Sequence, residues 1–442
     1  ARTRDFARAP LPPMPSRRIA VIGAGAAAGG PLASRLRARS RRGRHLAVRR
    51  QASADPLGAG GVHGSLYASL RTNLPRECMG FLDFPFVADE SSVDPRRFPG
   101  HQEVLRYLEA FARRFDLHGL IRLETEVVGV RRSGDASWSV SYCSRKLAGT
   151  DAGGELQEEE EVFDAVVVCN GHFAEPRLAE VAGIDGWPGK QLHSHSYRVP
   201  DQFHGQVVVI VGYNPSGIDI SRDIAGVAKE VHVAIRGAPR NVNRVPATAH
   251  ANLWLHPMID CAEEDVSVVF QDGSRVKADA IVHCTGYNYN FPFLEDDEEA
   301  GVVTVDDNRV GPLYKHVFPP RLAPRISFIG LPFKAIPFLV FQLQSSWVAG
   351  VLSGRIELPP PEEMMQDVAA FYTDMGSKHV HPRPRRKHVR VRGVAGGAVR
   401  AGENRGVEEG DLRRGERQGE GPARELPRRV GRRRPPAGTS TP

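Results

Sequence analysis

The sequence is poor in cysteine, and its five cysteines are not paired by spacing. No C-x-x-C or C-x4-C pair occurs among Cys78, Cys143, Cys169, Cys261 and Cys284. This spacing disfavours a zinc site, a dithiol redox centre and a disulfide scaffold, so no metal is expected. A reducing compartment fits best, and the expected location is cytoplasmic.

The sequence also lacks a long uninterrupted apolar run. Its most apolar stretch, ISFIGLPFKAIPFLVFQLQSSWVAGVL at residues 326–352, is broken by Lys334, two prolines and two glutamines. Such a stretch cannot cross a bilayer, and the N-terminus has no signal-peptide apolar core. We therefore expect a soluble protein without a transmembrane segment.

Basic charge is concentrated in the C-terminal tail. Of the net charge of +7, residues 378–442 contribute 18 Lys+Arg minus 7 Asp+Glu, or +11, which leaves −4 for residues 1–377. The folded part therefore gives no electrostatic reason to expect nucleic acid, and the tail lacks the aromatics typical of single-strand binding. The aperiodic composition of residues 377–442 predicts disorder, as does the Arg/Pro-rich composition of residues 1–16.

Apolar strands alternate with glycine turns and helices along the rest of the chain. Buried strands that end at a glycine turn are predicted within residues 18–27, 163–171, 278–294 and 325–332, and a complete strand-turn-helix-strand unit within residues 206–236. This alternation predicts an α/β fold with parallel sheets and helices on their faces.

Other local patterns lie between these segments. Apolar spacing predicts a helix at residues 104–117, and alternation predicts antiparallel strands at residues 122–132 and 137–143. Residues 149–161, GTDAGGELQEEEE, are interpreted as a polar loop excursion.

The first glycine turn has the pattern Gly23-x-Gly25-x-x-Ala28 directly after a predicted strand. Gly23 would make the tight turn, Gly25 would let the backbone approach a pyrophosphate, and Ala28 is small enough for close helix–strand packing. The pattern is typical of dinucleotide binding, with a ligand-free glycine-rich turn as the alternative.

The second turn contains Gly212, Ser216 and Gly217 but has Asn214 in place of the middle glycine, so the motif alone is weak. Arg236 lies 24 residues after Gly212, near the position of the ribose-reading residue in such folds. A cation there favours the 2′-phosphate of NADPH, and a solvated surface arginine is the alternative.

Two nucleotide sites in one chain suggest FAD at the first turn and NADPH at the second. The expected fold is therefore two nested Rossmann-like domains with parallel sheets. The three-layer FAD-binding domain would comprise residues 17–198 and 302–376, and the smaller NADPH-binding domain residues 199–301.

Several further motifs occur in order along the chain. Residues Trp187-x-Gly189-x-x-x-His193-x-x-x-Tyr197 are close to the pattern F-x-G-x-x-x-H-x-x-x-[YFW], with Trp in place of Phe. The others are SLYASLRTNLPRECMGFLDFPF at 65–86, CNGHFAEPRLA at 169–179, SGIDISRDIAGVAKEVHV at 216–233, CTGY at 284–287, and ISFIGLP at 326–332 with the apolar helix that follows it to Leu358. By these motifs the chain resembles the flavin-containing monooxygenases, in particular the plant branch similar to glucosinolate S-oxygenases.

The resemblance implies an NADPH- and O2-dependent oxygenation. NADPH reduces FAD by hydride transfer, the reduced flavin takes up O2 as a C4a-hydroperoxide, and a thioether sulfur or amine nitrogen attacks its distal oxygen. The protein would hold both cofactors and keep water away from the peroxide.

The resemblance also implies roles for individual residues. Asn73 matches the family's asparagine beside the flavin and is the expected catalytic residue, although an isolated Asn before Leu-Pro is more often a turn residue. His193 is expected to be a structural histidine at the domain junction rather than an acid–base group. The remaining expected cofactor-binding residues are Leu70, Arg71, Thr72, Thr285 and Gly286, and the expected linker residues are Gly189, His193 and Tyr197.

A carboxylate is missing after the first glycine turn. In the family the next strand ends in Glu or Asp, whereas HLAVRR places Arg49 or Arg50 there. We hypothesise that residues 28–52, and everything after about residue 379, are read out of frame from a GC-rich gene; a genuine 2′-phosphate-binding arginine is the alternative. Three functions therefore remain open: a monooxygenase, an NADPH oxidase with impaired FAD binding, and a non-catalytic protein.

Overall fold

The structure, a computed structural model, describes residues 17–23, 64–122, 125–134, 137–144, 157–237, 243–244, 250–294, 301–306, 309–332 and 335–375. The predicted disordered segments 1–16 and 377–442 lie outside these ranges. So do Gly25, Ala28 and the remainder of residues 28–52.

The described α-helices are α1 His101–Arg114, α2 Pro215–Ala225, α3 Pro337–Leu352 and α4 Pro361–Met375. Short 3-10 helices occupy Arg76–Cys78, His118–Leu120, Ile184–Gly186 and Pro200–Phe203. The strands are β1 Ile19–Ile22, β2 Thr125–Ser133, β3 Ser137–Ser144, β4 Gln157–Phe163, β5 Ala165–Val168, β6 Glu175–Pro176, β7 Lys190–His193, β8 Val207–Val211, β9 Glu230–Ala234, β10 Asn243–Arg244, β11 Leu253–His256, β12 Ile259–Ala262, β13 Ser267–Phe270, β14 Arg275–Lys277, β15 Ala280–His283, β16 Tyr287–Asn288, β17 Thr304–Asp306, β18 Arg309–Gly311 and β19 Ile326–Phe328.

A three-stranded parallel sheet in the order β1-β5-β19 organises the first domain. Its strands read IAVI, AVVV and ISF, the near-continuous apolar pattern of strands covered on both faces. Ile19 and Val167 pack with Val348 of α3 on one face. Ile22 packs with Trp138 of the antiparallel sheet β2-β3-β4 on the other. These layers of helix, parallel sheet and antiparallel sheet confirm the predicted three-layer arrangement.

A six-stranded sheet in the order β10-β11-β9-β8-β15-β7 organises the second domain, and its neighbouring strands are parallel except at β10. Ile220 and Ile224 of α2 pack on one face, and Phe270 of the antiparallel sheet β12-β13-β14 packs on the other. The predicted strand-turn-helix-strand unit is confirmed as β8, α2 and β9. β7, which precedes residue 199, belongs to this sheet because it pairs with β15, and the predicted domain boundaries stay a prediction.

Local predictions are confirmed for the helix at 104–117, found as α1, and for the antiparallel pair β2 and β3. The interpretation of residues 149–161 as a loop is wrong for its last five residues, which begin β4. The last of these glutamates is partnered, since Tyr142 Oη donates to Glu161 Oε1 at 2.6 Å and Arg122 forms an ion pair with Glu161.

The apolar helix expected to reach Leu358 instead ends earlier. α3 ends at Leu352, and Gly354 adopts a φ of 69° just beyond it. A positive φ after the last helical turn is the usual helix-terminating conformation, and glycine adopts it without strain. Within the described part of the chain, no helix is both long and apolar enough to span a membrane.

Candidate functional site

The first glycine turn lies directly against the neighbouring strand. Gly23 follows β1 with a φ of 110°. A Cβ atom at this position would lie 2.3 Å from the carbonyl oxygen of Cys169, which follows β5. The backbone N–H of Cys169 donates to the carbonyl of Ile22 at 2.7 Å, which fixes this approach. A side chain therefore does not fit here, and Gly23 has the geometry of the predicted tight turn.

The second glycine turn repeats this arrangement in the other sheet. Gly212 follows β8 with a φ of 101°, and a Cβ atom there would lie 2.6 Å from the carbonyl oxygen of Cys284, which follows β15. A Cβ atom on Gly217 would lie 2.1 Å from the carbonyl oxygen of Gly212, so the first turn of α2 packs tightly on the strand end.

Asn214, the residue that weakened the second motif, occupies an ordinary backbone conformation. It is the N-cap of α2 with a φ of −85° and a ψ of −177°, so this position does not require glycine. Ser216 lies half-buried in the first turn of the helix, whose backbone N–H groups have no carbonyl partners within the helix. A helix N-terminus of this kind stabilises an anion such as a pyrophosphate.

Thr285 and Gly286 join the ends of the two parallel sheets. The carbonyl oxygen of Gly286 accepts the backbone N–H of Arg177 at 3.0 Å, and the Thr285 hydroxyl donates to the carbonyl of Arg177. Gly286 has a φ of 86° with open space around its Cβ position. β6 and β16 pair antiparallel beside this contact, so the chain after β5 and the chain after β15 form one junction.

His193, at the end of β7, stabilises this junction by a hydrogen bond to Gly286. Its Nδ1 accepts the backbone N–H of His195 at 3.0 Å, so the ring proton lies on Nε2, which donates to the carbonyl of Gly286 at 3.0 Å. Burial lowers the pKa of the His193 imidazole to about 4, helped by His283, and the Gly286 carbonyl opposes this only in part. A neutral, fully buried ring with both nitrogens engaged supports the structural role expected of His193.

The other two residues of the linker motif are packed for different reasons. A Cβ atom on Gly189 would lie 2.1 Å from the Trp187 ring, so glycine leaves room for the indole that replaces the family's Phe. Tyr197 is fully buried, and its hydroxyl donates to Asp223 Oδ2 of α2 at 2.5 Å. Burial, together with this carboxylate, raises the pKa of Tyr197 well above its usual value.

The segment Leu70–Asn73, expected beside the flavin, is held by its backbone. The Thr72 N–H donates to the carbonyl of Pro99 at 2.9 Å, and the carbonyl of Leu70 accepts the N–H of His101 at 3.2 Å. The Thr72 hydroxyl oxygen is buried without a hydrogen-bond partner in the described part of the chain. Asn73 follows at an exposed bend. The Thr72 hydroxyl is therefore an unsatisfied polar group, and the Asn73 side chain is accessible to a ligand.

A cleft of about 760 Å³ opens beside this segment. Its lining includes Leu70, Arg71, Asp94 and Arg96. Asp94 is paired with the Arg71 guanidinium at 3.3 Å and with Arg96 Nε at 2.7 Å. The Arg96 hydrogen bond holds the pKa of Asp94 well below its usual value. The charged side chains in this part of the cleft wall therefore compensate one another.

Arg236 lies two residues beyond the end of β9, and its side chain is exposed. This position fits contact with a 2′-phosphate and equally fits a solvated arginine, so its role stays a prediction.

Sequence reasoning missed Asp223 and His283 altogether. His283, in β15, accepts the N–H of Ala179 on Nδ1 at 3.3 Å and lies 3.2 Å from Gln191 Oε1 through Nε2. The sequence signal for His283 is a polar residue at the end of an otherwise apolar strand, whereas Asp223 lies among other polar residues of α2 and has no local signal.

Two glycine turns at the carboxyl ends of two parallel sheets, connected through one junction, define a protein with two dinucleotide-binding folds. Flavin- and nicotinamide-dependent oxidoreductases have this architecture. The sequence profile described as flavin-binding monooxygenase-like matches residues 58–256 and 250–388. The chain belongs to the flavin-containing monooxygenase family and is an oxidoreductase of that class.

Named relatives agree with this assignment. The chain is 52% identical to flavin-containing monooxygenase FMO GS-OX-like 2 of Arabidopsis thaliana, over 84% of this chain and 81% of that one. It is 58% identical to FMO GS-OX5 of the same plant, over 70% of this chain and 65% of that one. The solved S-allyl-L-cysteine S-oxygenase of Allium sativum is 50% identical with a TM-score of 0.76, over 83% and 84% of the two chains.

Family membership implies the use of FAD and NADPH. The described residues fit both groups where they can be tested. At the second turn, Gly212 and Gly217 hold the α2 N-terminus against the strand end, where a Cβ atom on either residue would collide with a backbone carbonyl oxygen. At the first turn, Gly23 has the matching geometry, and the orphaned Thr72 hydroxyl lies in the segment expected beside the flavin.

Proposed function

We propose that the chain is an NADPH- and O2-dependent monooxygenase that adds one oxygen atom to a soft nucleophile. A thioether sulfur is the preferred substrate atom, and an amine nitrogen is the second choice. The observation that carries this proposal is the 50% identity to an S-allyl-L-cysteine S-oxygenase over more than four-fifths of both chains. Bound FAD supplies the hydride acceptor and the activation of O2.

The roles proposed for this chain's residues rest on the geometry of the two turns and their junction. Gly212, Asn214, Ser216 and Gly217 bind the NADPH pyrophosphate at the start of α2, and Arg236 binds the 2′-phosphate. Gly23 binds the FAD pyrophosphate. Leu70, Arg71 and Thr72 bind FAD with Asn73, whose amide donates a hydrogen bond at the oxygen-reactive edge of the flavin. Thr285, Gly286 and His193 fix the junction between the two cofactor sites.

A product-stoichiometry assay tests the proposal. Purified protein saturated with FAD is given NADPH, O2 and S-allyl-L-cysteine, and the sulfoxide and hydrogen peroxide formed are measured per NADPH consumed. We expect about one sulfoxide per NADPH, as coupled oxygen transfer requires. An N,N-dialkylaniline in the same assay compares nitrogen with sulfur. NADPH consumption that yields only peroxide with every thioether and amine tried would refute oxygen transfer.

Asn73 can be tested in the same assay. Loss of its amide in Asn73→Leu removes the proposed hydrogen bond, which is worth about 1 kcal/mol, so we expect the peroxide-to-sulfoxide ratio to rise severalfold. The control is Asn252→Leu, since the Asn252 amide bonds the carbonyls of Ala225 and Ala228 at the opposite end of α2. An unchanged ratio in Asn73→Leu would argue for the turn-residue alternative.

A peroxide-releasing NADPH oxidase, or a non-catalytic protein, is the second candidate. It is favoured by the absence of any acidic residue between Gly23 and Asp55, and by a family match that begins only at residue 58. Absorbance in the flavin bands, with and without added FAD, separates these cases: a yellow protein argues against the non-catalytic alternative. Transcript sequencing across residues 28–52 and 379 tests the reading-frame hypothesis, which an uninterrupted frame in abundant message would refute.

A further inference from the structure

Three hydroxyl groups bond to two carboxylates where α2 meets two earlier parts of the chain. Tyr197 Oη and Ser69 Oγ both donate to Asp223 Oδ2, at 2.5 Å and 2.8 Å. Tyr67 Oη donates to Asp219 Oδ2 at 3.2 Å. We call these five residues the hydroxyl–carboxylate tie.

The tie joins two segments with different proposed tasks. Asp219 and Asp223 are four residues apart and therefore share one face of α2, the helix whose N-terminus is proposed to bind NADPH. Ser69 directly precedes Leu70–Asn73, the segment proposed to contact the flavin. Hydrogen bonds from one segment to the other thus set the position of the α2 axis relative to the flavin-facing backbone.

Apolar packing and backbone bonds support the two tyrosines of the tie, whereas Ser69 is exposed. The rings of Tyr67 and Tyr197 meet edge to face with centroids 5.6 Å apart, and both belong to the core that contains Ile220 and Ile224. Ala68 N–H donates to the carbonyl of Arg198 at 2.9 Å, and the buried Arg198 guanidinium donates to the carbonyl of Gly64 at 2.7 Å. Arg198 therefore holds the segment before Leu70 by hydrogen bonds at both Gly64 and Ala68.

Convergence of two donors on one carboxylate oxygen makes Asp223 the centre of the tie. Hydrogen bonds to an ionised carboxylate are roughly twice as strong as neutral ones. Hydride transfer is steeply sensitive to position, since a misplacement of about 1 Å can cost on the order of 100-fold in rate. A contact that fixes the NADPH helix against the flavin segment acts directly on this geometry.

We propose that Asp223, through Ser69 and Tyr197, is a positioning residue that holds the NADPH-binding helix in register with the flavin-facing segment for hydride transfer. This inference rests on the proposed function. It assigns a reaction step to residues that contact neither reacting atom, and it predicts that ligand binding at α2 stabilises residues 69–73.

The first test uses amide hydrogen exchange on the FAD-loaded protein with and without NADP+, which requires no turnover. In the unaltered chain, NADP+ should slow exchange in the first turn of α2 and in residues 69–73 together. In the double variant Tyr197→Phe/Ser69→Ala, protection at α2 should remain while protection at residues 69–73 is lost. Protection at α2 alone in the unaltered chain would refute the positioning role of Asp223 and leave the proposed function intact. Absence of NADP+ protection at both α2 and residues 69–73 would refute the positioning role and the proposed NADPH site together.

The second test measures anaerobic flavin reduction by NADPH. The double variant should reduce its flavin about 10- to 100-fold more slowly, with FAD content kept and NADP+ affinity changed less than about threefold. Asp223→Asn should act in the same direction, and Ser69→Thr, which keeps the hydroxyl, should retain the normal rate. Asp185→Asn, an exposed carboxylate outside the tie, is the matched control. A lowered melting temperature with an unchanged reduction rate would show that the tie is merely structural and would overturn the proposal.

Discussion

The two glycine turns use the same backbone device in different surroundings. Gly23 and Gly212, with φ of 110° and 101°, each lie against the carbonyl of the cysteine that follows the neighbouring strand. At Gly212 the next described element is α2, which packs on the turn through Gly217. The residues that follow Gly23 lie outside the described ranges. The strand-end geometry is therefore a property of parallel-sheet packing, whereas the choice of ligand depends on the residues beyond the turn.

Substitution of the first turn should have the largest effect. Gly23→Ala places a Cβ atom 2.3 Å from a carbonyl oxygen at a positive φ, a conformation that alone costs roughly 1–2 kcal/mol. We expect the flavin content of the purified protein to fall at least about tenfold, measured by absorbance. Gly273→Ala is the control, since its φ of 81° carries the same strain with no atom within 4 Å. A Gly23→Ala protein that keeps its flavin would contradict the proposal that FAD binds at the first turn.

Substitution of the second turn should act on the other cofactor. Gly212→Ala brings a Cβ atom to 2.6 Å from the carbonyl oxygen of Cys284. Because the flavin is proposed to bind at Gly23, we expect FAD to be retained while the KM for NADPH rises on the order of tenfold or more. Steady-state kinetics with varied NADPH measure this. Loss of FAD with normal NADPH affinity would reverse the assignment of the two turns.

Arg236 sharpens the comparison, because a 2′-phosphate contact is proposed for the residue that follows the second turn. Hydrogen bonds to charged groups contribute about 1.5–3 kcal/mol, so Arg236→Gln should raise the KM for NADPH roughly 10- to 100-fold. The KM for NADH, which lacks the phosphate, should change little. Equal effects on both coenzymes would favour the surface-arginine alternative.

Acid sensitivity concerns the stability of the fold rather than cofactor binding, and three buried imidazoles of the second sheet should contribute to it. Burial lowers the pKa of His193, His256 and His283 to about 4 in the folded protein, against about 6.5 in an unfolded chain. The unfolded state therefore binds more protons between pH 6.5 and 4, so stability falls as the pH is lowered through this range and is constant above it.

Denaturant unfolding over a pH series measures this dependence. His256→Gln should remove the contribution of one histidine, roughly 2–3 kcal/mol between pH 6.5 and 4, whereas the surface substitution His204→Gln should not. Stability that stays constant from pH 7 to pH 4 would show that these imidazoles can be protonated without cost in the fold.

Sequence patterns predicted the elements with strong local signals. β8, α2 and β9 follow a valine-rich run, a turn and an amphipathic segment in order, and Gly23 and Gly212 were identified because strands end there. β4 was missed because five consecutive polar residues have no apolar alternation. Glu161 is stabilised in the strand by Tyr142 and Arg122, partners that a local pattern does not contain.

By itself the sequence determined the α/β class, the two glycine turns, the family motifs and the positions of Asn73, His193 and Tyr197. Backbone conformation and apolar period are local properties, so they can be inferred from neighbouring residues. Only the tertiary structure decided that Asp223 meets Ser69 and Tyr197, that His193 bonds the carbonyl of Gly286, and that β7 completes the second sheet. These contacts join residues from 26 to 154 positions apart, and side-chain hydrogen bonding over such separations depends on how the sheets pack.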